Sequence, residues 1–250
     1  MGLEMGILVR NAVEPEGGCL RAEPVSHCAT CHTRFLAVCS AFEDHELSDF
    51  NRIVQHRCHA AKAALFEQGQ NADFVFSVSE GVVRLFRLLS DGRRQIIGFA
   101  LPGDFLGVSL PLTHDYCAEA VGAIRVCRIP RNAFVALVDE KPHLLRKLHE
   151  FACRDMRTAR EQMVLLGRKT AEERVAAFLL TMRERWARVA HCSVTVPLPM
   201  SRVDIADYLG LTIETVSRTI SKLARDKAIV VVPDGVRLLD IPRLQAAGAR

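Results

Sequence analysis

Three observations predict an α+β protein with three folded parts behind an N-terminal tail. Residues 64–130 hold short β-rich runs punctuated by Gly69, Gly81, Gly98, Gly103 and Gly107. A long amphipathic segment opens at Pro142, and two short helices followed by a hairpin lie near the end. β runs at that spacing suggest a small antiparallel barrel or jelly roll. The parts are assigned as 1–40, a tail ending in a cysteine group; 41–141, the β-barrel; 142–168, the long helix; and 169–250, a winged helix-turn-helix.

The chain has 250 residues, 49% hydrophobic and 25% charged. That is enough for a real core in one large domain or two modest ones. No apolar run approaches the ~18 residues that span a bilayer. The opening, Met1-Gly2-Leu3-Glu4-Met5-Gly6, has an early acid and only a short apolar stretch after it, so it does not read as a secretory signal. Gly6 also stands where a myristoylation motif wants Ser or Thr. The expectation is a cytoplasmic protein with no membrane partner. Lys plus Arg is 33 and Asp plus Glu is 29, a net charge of +4. This permits nucleic-acid binding but argues for it only where a local patch exists. Nine cysteines, an odd number, speak against a disulfide scaffold. Four of them, Cys19, Cys28, Cys31 and Cys39, crowd into one short stretch that has few core-forming residues.

The elements follow in order. Residues 1–27, with Glu14-Pro15-Glu16-Gly17-Gly18 and Glu23-Pro24, read as a tail. Residues 42–60 look like a short helix. The β runs are 74–78, 81–89, 94–100 and 120–129, with Ser90-Asp91-Gly92 as a hairpin turn. From Pro142, the residues Leu145, Leu148, Ala152, Met156, Ala159, Met163 and Leu166 recur every three or four positions. This resembles the seam of a coiled coil and suggests a homodimer. Gly167 is expected to cap the end of this helix. A further helix spans 171–190.

Residues 200–225 carry the most specific pattern. Ser201 can cap a helix, with Asp204 as its capping-box partner. Gly210-Leu211 makes a tight turn and Thr212 caps the next helix. Ile213, Val216, Ile220 and Leu223 are its expected buried face, and Glu214, Ser217, Arg218, Ser221 and Lys222 its exposed one. Two short helices joined this way form a helix-turn-helix. Arg can donate twice to guanine, Glu can accept from cytosine, and Ser can bond either base. The expected partner is therefore double-stranded DNA, read by Glu214, Ser217 and Arg218. Residues 229–239, turning at Pro233-Asp234-Gly235, form a wing. Lys222, Arg225, Lys227 and Arg237 offer charge to phosphates.

Gly210-Leu211-Thr212-Ile213-Glu214-Thr215-Val216-Ser217-Arg218 closely resembles the recognition segment of the cyclic-AMP receptor/FNR superfamily of bacterial regulators. The resemblance covers roughly 28–240 and includes Gly103-Asp104-Phe105-Leu106-Gly107 and the stretch 171–178. It implies a cupin-like double-stranded β-barrel sensor domain, a dimerisation helix and a winged helix-turn-helix. It also implies a two-fold TTGAT-type site read by Glu214, Ser217 and Arg218, and activation through contact with RNA polymerase. The basic turn Asp91-Gly92-Arg93-Arg94 is one candidate for that contact. In the cyclic-nucleotide branch a Glu and an Arg-Ser pair hold the ligand. Here Asp104 stands for the Glu, and Tyr116 and Cys117 for Arg-Ser, so a cyclic nucleotide is not expected.

FNR-type oxygen sensors hold a [4Fe–4S] cluster with three N-terminal cysteines and one just before an x-Ile-Pro step of the barrel. Cys28, Cys31, Cys39 and Cys127 match these positions. The seven-residue gap between Cys31 and Cys39 is similar to the FnrN/FixK-like subgroup, some of whose members lack the cluster. The presence of all four thiols points to it here. Cys117 competes as fourth ligand, and Cys19 is a further candidate. The alternative is a regulator of the same family without a cluster, sensing through zinc, with His27 or His32 as co-ligand, through free thiols, or through another ligand. An enzyme is not expected, because no nucleophile triad or Gly-rich phosphate loop is present.

Overall fold

The computed structural model describes Cys28 and residues 30–108, 112–189 and 194–248. The tail reading of 1–27, and with it Cys19 and His27, lies outside the described residues, as does Cys192.

After a 3₁₀ turn, Val38–Ala41, come α1 (Leu47–Ile53) and eight strands: β1 (Gln55–His59), β2 (Ala64–Phe66), β3 (Phe74–Glu80), β4 (Val83–Leu88), β5 (Arg94–Ala100), β6 (Phe105–Leu106), β7 (Cys117–Ala120) and β8 (Ile124–Pro130). They form two antiparallel four-stranded sheets, ordered β1-β8-β3-β6 and β2-β7-β4-β5. The sheets face each other across Phe66, Phe76, Val78, Val83, Ala118, Ala120, Ile124 and Val126. Side chains alternate along a strand. Val126 and Ile124 therefore point into the barrel, while Ile129 joins a second core on the outside with Phe134, Leu144 and Phe151.

Two readings need correction here. Residues 42–60 are not one helix, because α1 ends at Ile53 and β1 follows at once. The run 120–129 breaks at 121–123, so that its ends belong to different sheets. The Ser90-Asp91-Gly92 turn does join β4 to β5, with Gly92 at φ 84° and its N–H donating to the Leu89 carbonyl.

Helix α2 (Arg131–Glu140) packs outside the barrel and leads into α3 (Pro142–Arg168), with Pro142 in the first turn. Gly167 does not cap α3. It lies inside the helix, which runs on to Arg168. Arg174 closes that end, donating from Nη2 to the Leu166 carbonyl at 2.8 Å and from Nε to Lys169 at 2.9 Å. On α3, Leu144 and Phe151 are buried, but Leu145, Ala152, Met156, Ala159, Met163 and Leu166 are exposed, and Leu148 is half-buried. Apart from Leu148, the seam residues therefore have little cover from the described residues of one chain.

The C-terminal part comprises α4 (Ala171–Val189), β9 (Thr195–Pro197), α5 (Arg202–Leu209), α6 (Ile213–Arg225), β10 (Ile229–Val232), β11 (Gly235–Leu238) and α7 (Ile241–Gly248). Its strands form a sheet ordered β10-β11-β9. The single core of this part is built on Leu179, Leu209, Val216, Ile220, Ile229 and Leu244 and takes in Ile96, Phe99 and Leu101 from the barrel. Helices α2 and α7 had no counterpart in the sequence reading.

Candidate DNA-reading head and thiol site

Local chemistry sets the reading head. Ser201 caps α5: its hydroxyl accepts the Asp204 N–H at 3.1 Å, and Asp204 Oδ2 accepts the Ser201 N–H at 3.1 Å. Gly210 takes φ 60°, which turns the chain out of α5. Thr212 Oγ1 accepts the Thr215 N–H at 3.2 Å and opens α6. Val216, Ile220 and Leu223 are buried beneath α6 as expected, joined by Thr219. Ile213 is the exception, at 39% exposed.

Glu214 and Arg218 are exposed and Ser217 is half-buried, all near the start of α6. Glu214's own backbone N–H and the Thr212 hydroxyl hold its carboxyl below the usual range, with Arg218 adding attraction, so it is an ionised acceptor. Among the described residues Arg218 makes no contact ion pair, which leaves its guanidinium open to a ligand. Lys222 pairs with Glu172 of α4, so one of the four basic residues set against phosphates is partly engaged. Arg225, Lys227 and Arg237 are exposed. Arg174 was missed by sequence reasoning. Its Nη1 donates to the Leu209 carbonyl at 2.9 Å, tying α3, α4 and the helix-turn-helix turn together. No periodicity or motif singles it out.

The basic turn is exposed at Asp91, Gly92 and Arg93. Arg93 pairs with its neighbour Asp91 at 2.7 Å, and Arg94 turns away toward α5.

Strand alternation decides the thiol site. Cys127 sits on β8 on the side of Ile129, where Cys28, Val38 and Cys39 also pack. The loop before the 3₁₀ turn is held by Arg34, which donates to Asp44 Oδ1 at 3.0 Å and to the Phe42 carbonyl at 3.3 Å. Cys31 Sγ lies 3.3 Å from Thr33 Oγ1. The four thiols Cys28, Cys31, Cys39 and Cys127 come within electrostatic range of one another. Burial, with the neighbouring thiols of the group adding to it, pushes Cys28 up to about 11, and Cys39 and Cys127 up to about 12. Buried thiols of this kind stay neutral at pH 7 unless something cationic takes up their charge.

Among the described residues no three His, Cys, Asp or Glu side chains converge on a point fit for one metal ion. A tetrahedral zinc at ~2.3 Å from each sulfur needs sulfurs ~3.8 Å apart. The set is all thiol, the donor type of iron–sulfur cores. His56 Nδ1 approaches Cys127 Sγ at 3.7 Å. Cys117 belongs to the other sheet, where its sulfur accepts the Gln68 N–H at 3.2 Å. Cys153 is exposed beside His149 on α3, and Cys58 is disulfide-bonded.

Two of the residues that stand where the cyclic-nucleotide branch has its Glu and Arg-Ser pair, Asp104 and Tyr116, have partners within the chain. The Tyr116 hydroxyl accepts the Gly107 N–H at 3.4 Å, and its ring meets Phe66 edge-on at 5.3 Å. Asp104 takes the Leu101 N–H at 2.8 Å and pairs with Arg185 of α4.

A β-barrel, a long helix with an exposed seam and a capped winged helix-turn-helix are the architecture of a DNA-binding transcription regulator. Residues 56–141 match the cyclic nucleotide-binding domain model and 173–247 the Crp-like helix-turn-helix domain model. The chain is 49% identical to the transcriptional activatory protein AadR of Rhodopseudomonas palustris, over 90% of this chain and 92% of that one. It is also 49% identical to the nitrogen fixation regulation protein FixK of Bradyrhizobium diazoefficiens, over 91% and 96%. The solved structure of FixK2 from Bradyrhizobium japonicum superposes with a TM-score of 0.73 at 37% identity, covering 79% of this chain and 98% of that one. The chain belongs to the CRP/FNR family of transcription regulators. No helix among the described residues is long and apolar enough to cross a membrane.

Proposed function

We propose that this chain is an oxygen-responsive transcription activator that holds a [4Fe–4S] cluster through Cys28, Cys31, Cys39 and Cys127. In this reading it binds an inverted-repeat, TTGAT-type site in the cytoplasm as a homodimer. The carrying observation is that β8 delivers Cys127 to the loop bearing the other three thiols, which lie 88 to 99 residues earlier in the chain. The all-thiol donor set, together with the family resemblance of the four positions, supports the cluster.

When bound, such a cluster supplies an oxygen-labile cross-link between the four sulfurs. The protein's own residues connect that place to the seam. The cysteine loop shares a core with Leu144, Leu148 and Phe151 of α3, so seating the loop orders the first half of that helix. The exposed residues Leu145, Ala152, Met156, Ala159, Met163 and Leu166 are the surface on which a second copy packs. Two copies then present two α6 helices about one DNA turn apart, ~34 Å, to the two half-sites. Glu214, Ser217 and Arg218 read the bases. The family resemblance supplies RNA polymerase as the partner in activation.

The test is anaerobic purification with iron and sulfide analysis, followed by DNA binding before and after exposure to air. About four irons per chain are expected, with DNA binding lost in air. Stoichiometric zinc, or iron-free protein with air-insensitive DNA binding, overturns the cluster reading.

A further inference from the structure

Two acidic residues of the reading head are committed to the barrel. Asp204 is 3% exposed. It accepts Arg84 Nη1 at 3.0 Å and Arg94 Nη2 at 2.8 Å while it also completes the α5 capping box. Arg84 pairs in addition with Glu119 of β7. One turn further along α5, Asp207 Oδ1 accepts the Ile96 N–H at 3.0 Å, and Oδ2 lies 3.3 Å from Arg94 Nε. The Asp207 carbonyl accepts Gln95 Nε2 at 2.7 Å. A separate tie runs from α4, where Arg185 donates to the Phe99 carbonyl at 2.7 Å and pairs with Asp104. Beneath these polar ties Ile96, Phe99 and Leu101 share one core with Val175, Phe178 and Leu179.

Burial alone would raise the Asp204 carboxyl. The Ser201 hydrogen bonds and the two guanidinium groups outweigh that and hold it below the usual range. Removing both guanidinium groups leaves the buried Asp204 charge in the closed joint without its cationic partners, which favours opening of the joint. Glu214, Arg218 and Ser221 remain exposed while the head is docked. The docked arrangement is thus open to DNA.

We propose that Arg84 and Arg94 are positioning residues for DNA binding: from the barrel they grip Asp204 and Asp207 of α5 and so fix the angle at which the head presents α6. Its consequence at DNA rests on the dimeric reading above. Two heads held at one angle fit one half-site spacing. Two loosely held heads fit several spacings and bind each more weakly, because the cost of ordering them then falls on binding.

The test compares the full-length wild type with the Arg84→Gln/Arg94→Gln variant on duplexes whose half-site spacing differs by one or two base pairs, and on a duplex with a single half-site. Amide exchange at Ile96 reports docking directly. The expected result is faster Ile96 exchange, roughly tenfold weaker binding at the preferred spacing, a flattened spacing preference, and unchanged binding to the single half-site. An Arg84→Lys/Arg94→Lys variant is expected to recover part of the preference. An unchanged spacing preference overturns the proposal. So does an equal loss on the single half-site, which makes these pairs ordinary supports of the head's own fold, and so does tighter binding, which makes the docking a restraint. A wild type indifferent to spacing counts against the dimeric reading instead. Ile96 exchange that the substitutions leave unchanged overturns the docking claim independently of that reading.

Discussion

Gly103, in the turn before β6, lies against Leu36 of the cysteine loop so closely that a Cβ on the glycine would come within 2.5 Å of the Leu36 Cβ. Gly103 also holds φ 94°, a conformation that side-chain-bearing residues rarely adopt. Gly103→Ala therefore meets strain and collision together, and the element free to yield is the loop. The expected outcome is a loss of roughly 1–3 kcal/mol, with faster amide exchange over 31–41 and reduced iron retention. Exchange in the loop indistinguishable from wild type would show that the loop does not rest on this turn.

Arg218→Ala removes the one guanidinium near the start of α6 that the fold leaves uncommitted. It should cost about 1–3 kcal/mol on the cognate duplex and relax specificity at one base position. Arg225→Ala, at the far end of α6, should instead weaken all sequences alike and lower the salt dependence. Binding measured on a panel of single-base variants separates the two. Uniform weakening by Arg218→Ala would make it a phosphate contact and undo its assignment as a base reader.

Met163 is 65% exposed in one chain. If α3 is the seam, Met163→Glu buries an unpaired carboxylate in each half of a dimer. Self-association should weaken tenfold or more, roughly 1.4 kcal/mol or above, with the melting of the single chain nearly unchanged. Sedimentation velocity over a concentration series reads this out. An undiminished dimer would move the seam elsewhere.

Glu46 joins the segment after the cysteine loop to the start of α3. It accepts from Lys141 Nζ at 2.7 Å and from the Glu43 N–H at 3.0 Å, and lies 3.1 Å from His143 Nε2. The Lys141 hydrogen bond, then the Glu43 N–H, lower its carboxyl from 4.5 to about 2. The native state therefore binds this proton less readily than the unfolded chain. The stabilisation is complete above about pH 4.5 and is lost as pH falls toward about 2. Glu46→Gln should cost about 1–3 kcal/mol at neutral pH and flatten the acid limb of the unfolding curve in that window. Denaturant unfolding at stepped pH measures it, and an acid limb unchanged by the substitution would assign the dependence to other carboxylates.

Much of the reading head was legible because its signals are local. Ser201, Asp204, Gly210 and Thr212 act on backbone groups within three or four residues, so their spacing alone announces two capped helices and a turn. The outward position of Cys127 was legible for the same kind of reason, since a strand's two-residue alternation follows from pleating. The break at 121–123 was not, because the apolar pattern runs through it and only sheet pairing separates its ends. Ile213 was placed in the buried face by helical spacing, yet the first turn of α6 projects beyond the core that covers Val216 and Ile220.

By itself, the order of residues determined the three-part plan, the caps of the helix-turn-helix, the seam periodicity and the set of thiols, all consequences of short-range backbone geometry and of which side chains shun water. Only the tertiary structure decided that Leu36 meets Gly103, that Arg174 ties three helices together, and that Arg84 and Arg94 seat the head on the barrel through Asp204 and Asp207. Those contacts pair elements that no local pattern brings together, by close packing at Gly103 and by charge-assisted hydrogen bonds at the arginines.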